Sequence, residues 1–138
     1  MTEVVFVDTS ALYAAIDAAD ANHKHAARGW DRVLTGIADG SLDALTHGSV
    51  LVETSALVQR RLGMKATRAL HDHLVPVLDV AWVDEGLHAR AVTALLAAGR
   101  RNISLVDWTS FELMRLRSID TAFAFDTDFA DQGFAVWT

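Results

Sequence analysis

The chain has 138 residues, 51% hydrophobic and 22% charged, and no cysteine. That length suits one domain spanning residues 1–138, the apolar share supports a sizeable core, and the missing thiols exclude disulfides and thiolate metal sites. A formal net charge of −6 argues against a protein that simply coats nucleic-acid phosphates, unless many of its acids share a pocket that binds divalent cations.

The N-terminal stretch has no basic region, and its apolar run is too short for a signal peptide or a membrane span, so a soluble cytoplasmic protein is expected. Val4–Val7 is a β-branched and aromatic run that predicts a buried strand ending on Asp8. Ser10 is placed to cap a helix through Leu12 and Ile16. Lys24 to about Ile37 predicts a second helix, closed by Asp39-Gly40. Leu42–Thr46 predicts a second strand. Ser49 then begins a helix through Leu62 that ends at Gly63, and Ala66–Leu74 is helical. Val77–Val83 predicts a third strand and Glu85–Ala98 a helix. Ser104 caps a helix to about Leu116. Thr121–Phe125 and Phe134–Trp137 predict the last two strands.

Alternating strands and helices predict a three-layer α/β/α domain with a mostly parallel sheet of four or five strands. In such sheets the functional crevice lies outside the carboxyl ends of the strands. Asp8 closes the first strand. Asp126 and Asp128 follow the fourth. Glu53 lies early in the helix after the second strand, and Asp107 lies in the first turn of the Ser104 helix. All are expected at one sheet edge. Two carboxylates about 4 Å apart repel by roughly 4 kcal/mol at an effective dielectric near 20, and a hard cation such as Mg²⁺ or Mn²⁺ offsets this. The resulting site suits phosphodiester hydrolysis by metal-activated water. Asp8 and Asp107 are assigned direct metal contacts. Glu53 and Asp126 complete the shell or orient the water, and Asp128 is a further candidate ligand.

Capping explains some of the same residues. Ser104-Leu105-Val106-Asp107 matches a capping box, and Asp8 before Thr9-Ser10 suits a turn. Glu53 resists such an explanation, because Leu51, Val52 and Ala56 suggest a partly buried helix face. Ser10 and Thr109 are expected to support metal-bound water. Arg60, Arg61, Lys65 and Arg68 are candidates for RNA contact, and Trp108 is a candidate for base stacking. The pairs His23/His25 and His71/His73 are spaced wrongly for one metal on a helix. The apolar helix faces in 17–37 and 49–74 offer room for a partner helix or a second copy.

At these residues the chain resembles the PIN-domain family, in particular the VapC toxins of VapBC toxin–antitoxin modules. The resemblance rests on Phe6-Val7-Asp8-Thr9-Ser10-Ala11-Leu12, Leu51-Val52-Glu53-Thr54, Ser104-Leu105-Val106-Asp107 and Ala124-Phe125-Asp126-Thr127-Asp128-Phe129 with Gly133-Phe134. It implies a Mg²⁺-dependent endoribonuclease, inhibited by a cognate VapB-type antitoxin and frequently homodimeric, with Asp8, Glu53, Asp107 and Asp126 at the family's acidic positions. The segment Ser104–Phe134 is similar to the VapC toxins that cut the sarcin–ricin loop of 23S rRNA. Other members cut tRNA. A phosphotransfer enzyme of the haloacid-dehalogenase pattern is a weaker match, since it wants an aspartate where Ser10 stands. A PIN-like RNA- or partner-binding module without catalysis is the non-enzymatic alternative.

Overall fold

The computed structural model describes residues 2–137. The strands are β1 (Glu3–Val7), β2 (Leu42–His47), β3 (Asp79–Ala81), β4 (Thr121–Phe123) and β5 (Ala135–Trp137). They form one sheet in the order β3-β2-β1-β4-β5, and every pairing is parallel. Val5, Phe6 and Val7 of the central strand are fully buried, which is why that run is apolar without alternation.

The helices are α1 (Thr9–Ile16), α2 (His23–Asp39), α3 (Gly48–Leu62), α4 (Met64–Ala69), α5 (Glu85–Ala98), α6 (Leu105–Leu116) and α7 (Asp128–Asp131). The right-handed connections β1→β2→β3 place α1 to α4 on one face, and the return to β4 and β5 places α5 to α7 on the other. Phe6, Phe111 and Phe129 form the aromatic core under α6 and α7, with ring centroids 5.0 Å apart for Phe111 and Phe129 and 6.0 Å for Phe6 and Phe129. Among the described residues, no helix is long and apolar enough to cross a membrane.

Several boundaries differ from the sequence reading. The N-cap of α1 is Asp8 rather than Ser10, since the Asp8 side chain accepts from the Ser10 N–H. The N-cap of α3 is His47 rather than Ser49. His47 is fully buried; its Nδ1 accepts from the Val50 N–H at 3.3 Å, and its Nε2 lies 2.9 Å from Ser110 Oγ. Burial pushes its pKa down to about 4, so the imidazole is neutral at neutral pH, with Nε2–H donating to Ser110. The helix expected to Leu74 changes pitch: a π-turn spans Leu70–Leu74 and a 3₁₀ turn spans Val75–Val77. That turn removes Val77 from β3, which pairs only through Asp79–Ala81. Strand β4 stops at Phe123 because the Phe125 N–H donates to Ser10 Oγ instead of to a neighbouring strand.

Helix α2 approaches the sheet closely through two glycines. A Cβ at Gly29 would stand 2.5 Å from Phe123 Cζ, and one at Gly36 would stand 2.6 Å from Leu42 Cβ. Phe123 is 1% exposed and its ring packs against those of Phe125 and Trp137, with centroids 6.1 and 5.8 Å away. Gly29→Ala is therefore expected to lose about 1–3 kcal/mol to overpacking, despite gaining up to ~1 kcal/mol in helix propensity. An unchanged or raised urea midpoint would show that α2 is free to shift away from the sheet.

Candidate active site

Strand order reverses between β1 and β4: the chain moves outward from β1 to β2 and β3, then returns to the far side of β1. At this reversal the connections leave in opposite directions and open a crevice at the carboxyl ends. Asp8 leaves β1 there, and Asp126 and Asp128 follow β4. The N-terminus of α6 brings Asp107 and the start of α3 brings Glu53. Carboxylate oxygens of Asp107, Asp126 and Asp128 all lie within 4.8 Å of one another. Asp8 faces the negative charge of Asp107 and Asp126, and Glu53 that of Asp107. Three of the five acids expected at one edge thus form a close group, and Asp8 and Glu53 lie within electrostatic reach of it.

Each of three aspartates uses one oxygen to hold its own backbone. Asp8 Oδ2 accepts from the Ser10 N–H at 3.1 Å and from Ser10 Oγ at 2.7 Å. Asp107 Oδ2 accepts from the Ser104 N–H at 3.1 Å and from Ser104 Oγ at 3.0 Å, completing the capping box. Asp126 Oδ1 accepts from the Asp128 N–H at 2.9 Å. Among the described residues the second oxygen of Asp8, Asp107 and Asp126 has no backbone partner. Capping and membership of the cluster are thus compatible: the cap fixes the carboxylate and leaves one oxygen for a ligand.

The electrostatics match a site built for a cation. Asp8 is 4% exposed, and burial raises its pKa from the ordinary 3.8 to about 7, against the lowering effect of its Ser10 bonds. Burial also raises the pKa of Glu53 and Asp107. Asp128 rises to about 6, through desolvation first, then its contact with the Asp126 carboxyl, with Arg100 opposing. Hard oxygen donors whose negative charge has so little balancing positive charge fit a divalent ion.

Ser10 ties the site together. Its hydroxyl donates to Asp8 and accepts from the Phe125 N–H at 2.9 Å, so it couples the end of β1 to the loop that carries Asp126. Other expected members lie elsewhere. The buried Thr109 hydroxyl donates to the Leu105 carbonyl at 2.8 Å, one turn back in its own helix, as interior threonines often do, and supports none of the acids. Trp108 is 7% exposed and packs edge-on against Phe111 with centroids 5.4 Å apart, so it is not available to stack a base. Arg60, Arg61, Lys65 and Arg68 are exposed. Arg60 lies about 10 Å further along the α3 axis than Glu53, toward the opposite sheet edge. Arg61 lies over the Tyr13 ring, 5.4 Å from its centroid. Glu53 itself is exposed rather than on a buried face, and its neighbour Val52 is 69% exposed.

Three further residues border the acids. Arg100 sets a positive charge against the rise in the Asp128 pKa. The Thr9 hydroxyl lies beside Glu53 and accepts from Thr54 Oγ1 at 3.1 Å. Trp82, 72% exposed, shares a groove of about 480 Å³ with Glu53, Val52 and Val106. Trp82 directly follows a strand, so the same strand-end rule that located the acids pointed to it.

The raised Asp8 pKa sets a stability prediction for the metal-free protein. A carboxyl with a raised folded pKa carries no penalty below its unfolded pKa, and it loses stability as pH climbs from about 4 to about 7. The full penalty is on the order of 4 kcal/mol. Asp8→Asn keeps a competent N-cap and removes that charge. It is expected to melt higher than wild type at pH 8 in chelator, with the gap closing near pH 4. A lower melting temperature at pH 8 would contradict the burial of an unbalanced charge at Asp8.

The PIN domain model matches residues 5–135. The 23S rRNA-specific endonuclease VapC20 of Mycobacterium tuberculosis is 38% identical over 132 residues, covering 95% of both chains. The crystal structure of that protein, described as a sarcin–ricin loop cleaving toxin, superposes with a TM-score of 0.81 at 37% identity over 95% of this chain and 96% of its own. FitAcB from Neisseria gonorrhoeae shares the fold at a TM-score of 0.67 and 16% identity, over 97% and 96% of the two chains. The five-stranded parallel sheet, the acids gathered at its reversal point and these matches establish that the chain belongs to the PIN-domain family, in its VapC endonuclease branch.

Proposed function

We propose that this chain is the toxin of a type II toxin–antitoxin pair and cuts 23S rRNA in its sarcin–ricin loop, using Mg²⁺ held by Asp8, Asp107, Asp126 and Asp128. The observation that carries this reading is the convergence of carboxylates, each pinned to the backbone through one oxygen with the other left without a backbone partner, where the strand order reverses. The specific RNA is supported by the likeness to VapC20. A VapB-type antitoxin and a homodimer are the expected assemblies.

Bound Mg²⁺ would supply a water of lowered pKa and would neutralise charge at the phosphodiester. The chain's own residues do the positioning. Asp8 and Asp107 are locked by helix caps, so their free oxygens hold fixed places. Asp126 and Asp128 ride on a loop tethered through Ser10. Glu53, exposed at the rim beside the Thr9 hydroxyl, is placed to take a proton from an attacking water and to orient it. No serine, cysteine or histidine nucleophile is needed: His47, the buried imidazole below α3, is fully engaged by Val50 and Ser110.

The test is incubation of purified, antitoxin-free protein with a sarcin–ricin hairpin RNA and with a tRNA anticodon stem-loop, in Mg²⁺ and in chelator. Cleavage of the first RNA alone, abolished by chelator and lowered more than about 100-fold by Asp8→Ala or Asp107→Asn, is expected. Cleavage that survives chelation would sink the metal site. Cleavage of the anticodon stem-loop instead would overturn the RNA assignment, and binding without cleavage would favour the regulatory-module reading.

Ser10→Ala is expected to lower activity about 10- to 100-fold while the far-ultraviolet spectrum stays native. Full activity would show that the Asp8–Phe125 tether is dispensable. Mg²⁺ should also release protons near pH 6.5, since Asp8 and Asp128 titrate at about 7 and about 6 without it. Calorimetry in two buffers of different ionisation heat reads this directly, and identical heats would exclude it.

A further inference from the structure

An acidic chain with an acidic centre must still hold a polyanion, and RNA-binding proteins do this with cations that contact backbone phosphates. The basic cluster at the end of α3 lies toward the wrong sheet edge for that task. A different basic pocket lies beside β4 and β5. It has a volume of about 410 Å³ and is lined by His25, Arg28 and Arg32 of α2, over Phe123 and Trp137. The three basic residues fall at helical spacings of three and four, which puts them on one face. No acidic side chain lines this pocket.

Both guanidinium groups are oriented. The Arg32 guanidinium carbon lies 3.8 Å from the centroid of the Trp137 ring, a stacked arrangement that leaves the N–H edges free for an anion. Arg28 donates to His25 Nδ1 at 2.9 Å. Among the described residues the one guanidinium–carboxylate pair within 4 Å is Arg115 with Glu112, at 3.7 Å, so neither pocket arginine is neutralised by an aspartate or glutamate side chain. Gly29 lies between them and lets α2 close on Phe123, which forms the pocket floor.

The pocket and the acidic cluster share a strand end. The Phe123 carbonyl accepts from the Asp8 N–H at 3.1 Å, and Asp126 follows three residues later. An RNA strand that presents a phosphodiester to the acids would cross this strand end. We propose that Arg28 and Arg32 clamp a non-reacting backbone phosphate of that strand, next to the one that is cut. The inference rests on the reading of the acidic site as a ribonuclease centre. The charges are divided: carboxylates and their cation take the reacting phosphate, and the arginine pair takes its neighbour. Fixed guanidinium edges favour the phosphate rather than a base.

The experiment compares wild type, Arg28→Gln/Arg32→Gln, Arg28→Lys/Arg32→Lys and, as a control for charge alone, Arg90→Gln. Cleavage of the sarcin–ricin hairpin RNA in Mg²⁺ and binding of the same labelled RNA in chelator are each measured from low to high KCl. For the glutamine pair the expected result is a KM raised roughly tenfold with kcat nearly unchanged. Its plot of log affinity against log salt should be shallower by roughly 0.7 for each lost contact. The lysine pair should recover the salt slope and only part of the affinity. A slope equal to that of Arg90→Gln would overturn the clamp, and would leave an acidic segment of a partner protein as the better occupant. If wild type binds RNA with the arginine-dependent slope yet cuts nothing, the clamp stands and the nuclease reading falls.

Discussion

The carboxyl of Asp8 is the group on which the arrangement turns. It leaves the central strand, whose last three residues are fully buried, and it is itself 4% exposed. Its backbone N–H joins β4, its side chain caps α1, and Ser10, bound to it, holds the Phe125 N–H and so the Asp126 loop. Two opposed effects meet there. Burial and the charges of Asp107 and Asp126 disfavour the carboxylate, whereas the Ser10 bonds favour it. Burial prevails and lifts the pKa to about 7, so the fold stores a demand for positive charge at the point where its strands diverge.

Helix capping supplies the precision of this site. A surface acid on a long side chain would sample many positions, and ordering it would cost entropy. Asp8, Asp107 and Asp126 are short, and each is pinned through one oxygen to a backbone N–H within three residues. Local bonds needed by any helix or turn thereby fix the ligand atoms too. Glu53 differs: it is longer, exposed and held by no cap, which suits a group that meets water.

The distribution of charge over the rest of the surface follows from the same centre. A net charge of −6 would repel RNA if it were spread evenly. Gathering acids at the strand reversal concentrates the negative charge where a divalent cation compensates it. The arginines of α2, with Arg32 stacked on Trp137 and neither within 4 Å of an aspartate or glutamate carboxylate among the described residues, provide the positive surface that the cluster lacks. Trp82, exposed on the α3 side of Glu53, gives the opposite wall an apolar character.

The amino-acid sequence by itself determined the alternation of strands and helices, the parallel sheet and the acids that share its carboxyl edge. These follow from local signals: apolar runs, caps, and the rule that strand ends converge. Motif resemblance carried the family. Only the tertiary structure decided which residues are buried and what they face. Trp108 and Thr109 lie next to Asp107 in the chain, yet helix geometry turns them into the core. Arg60 and Arg61 follow Glu53 closely in sequence, yet α3 carries them away from it. Asp128 reads in the chain as the lesser of a pair and meets Asp107 in space. Arg28 and Arg32 stand more than a hundred residues before Trp137, and neither side has a local pattern that names the other. Pairing across such separations depends on the close approach of α2 to the sheet, a long-range packing contact that no window of sequence contains.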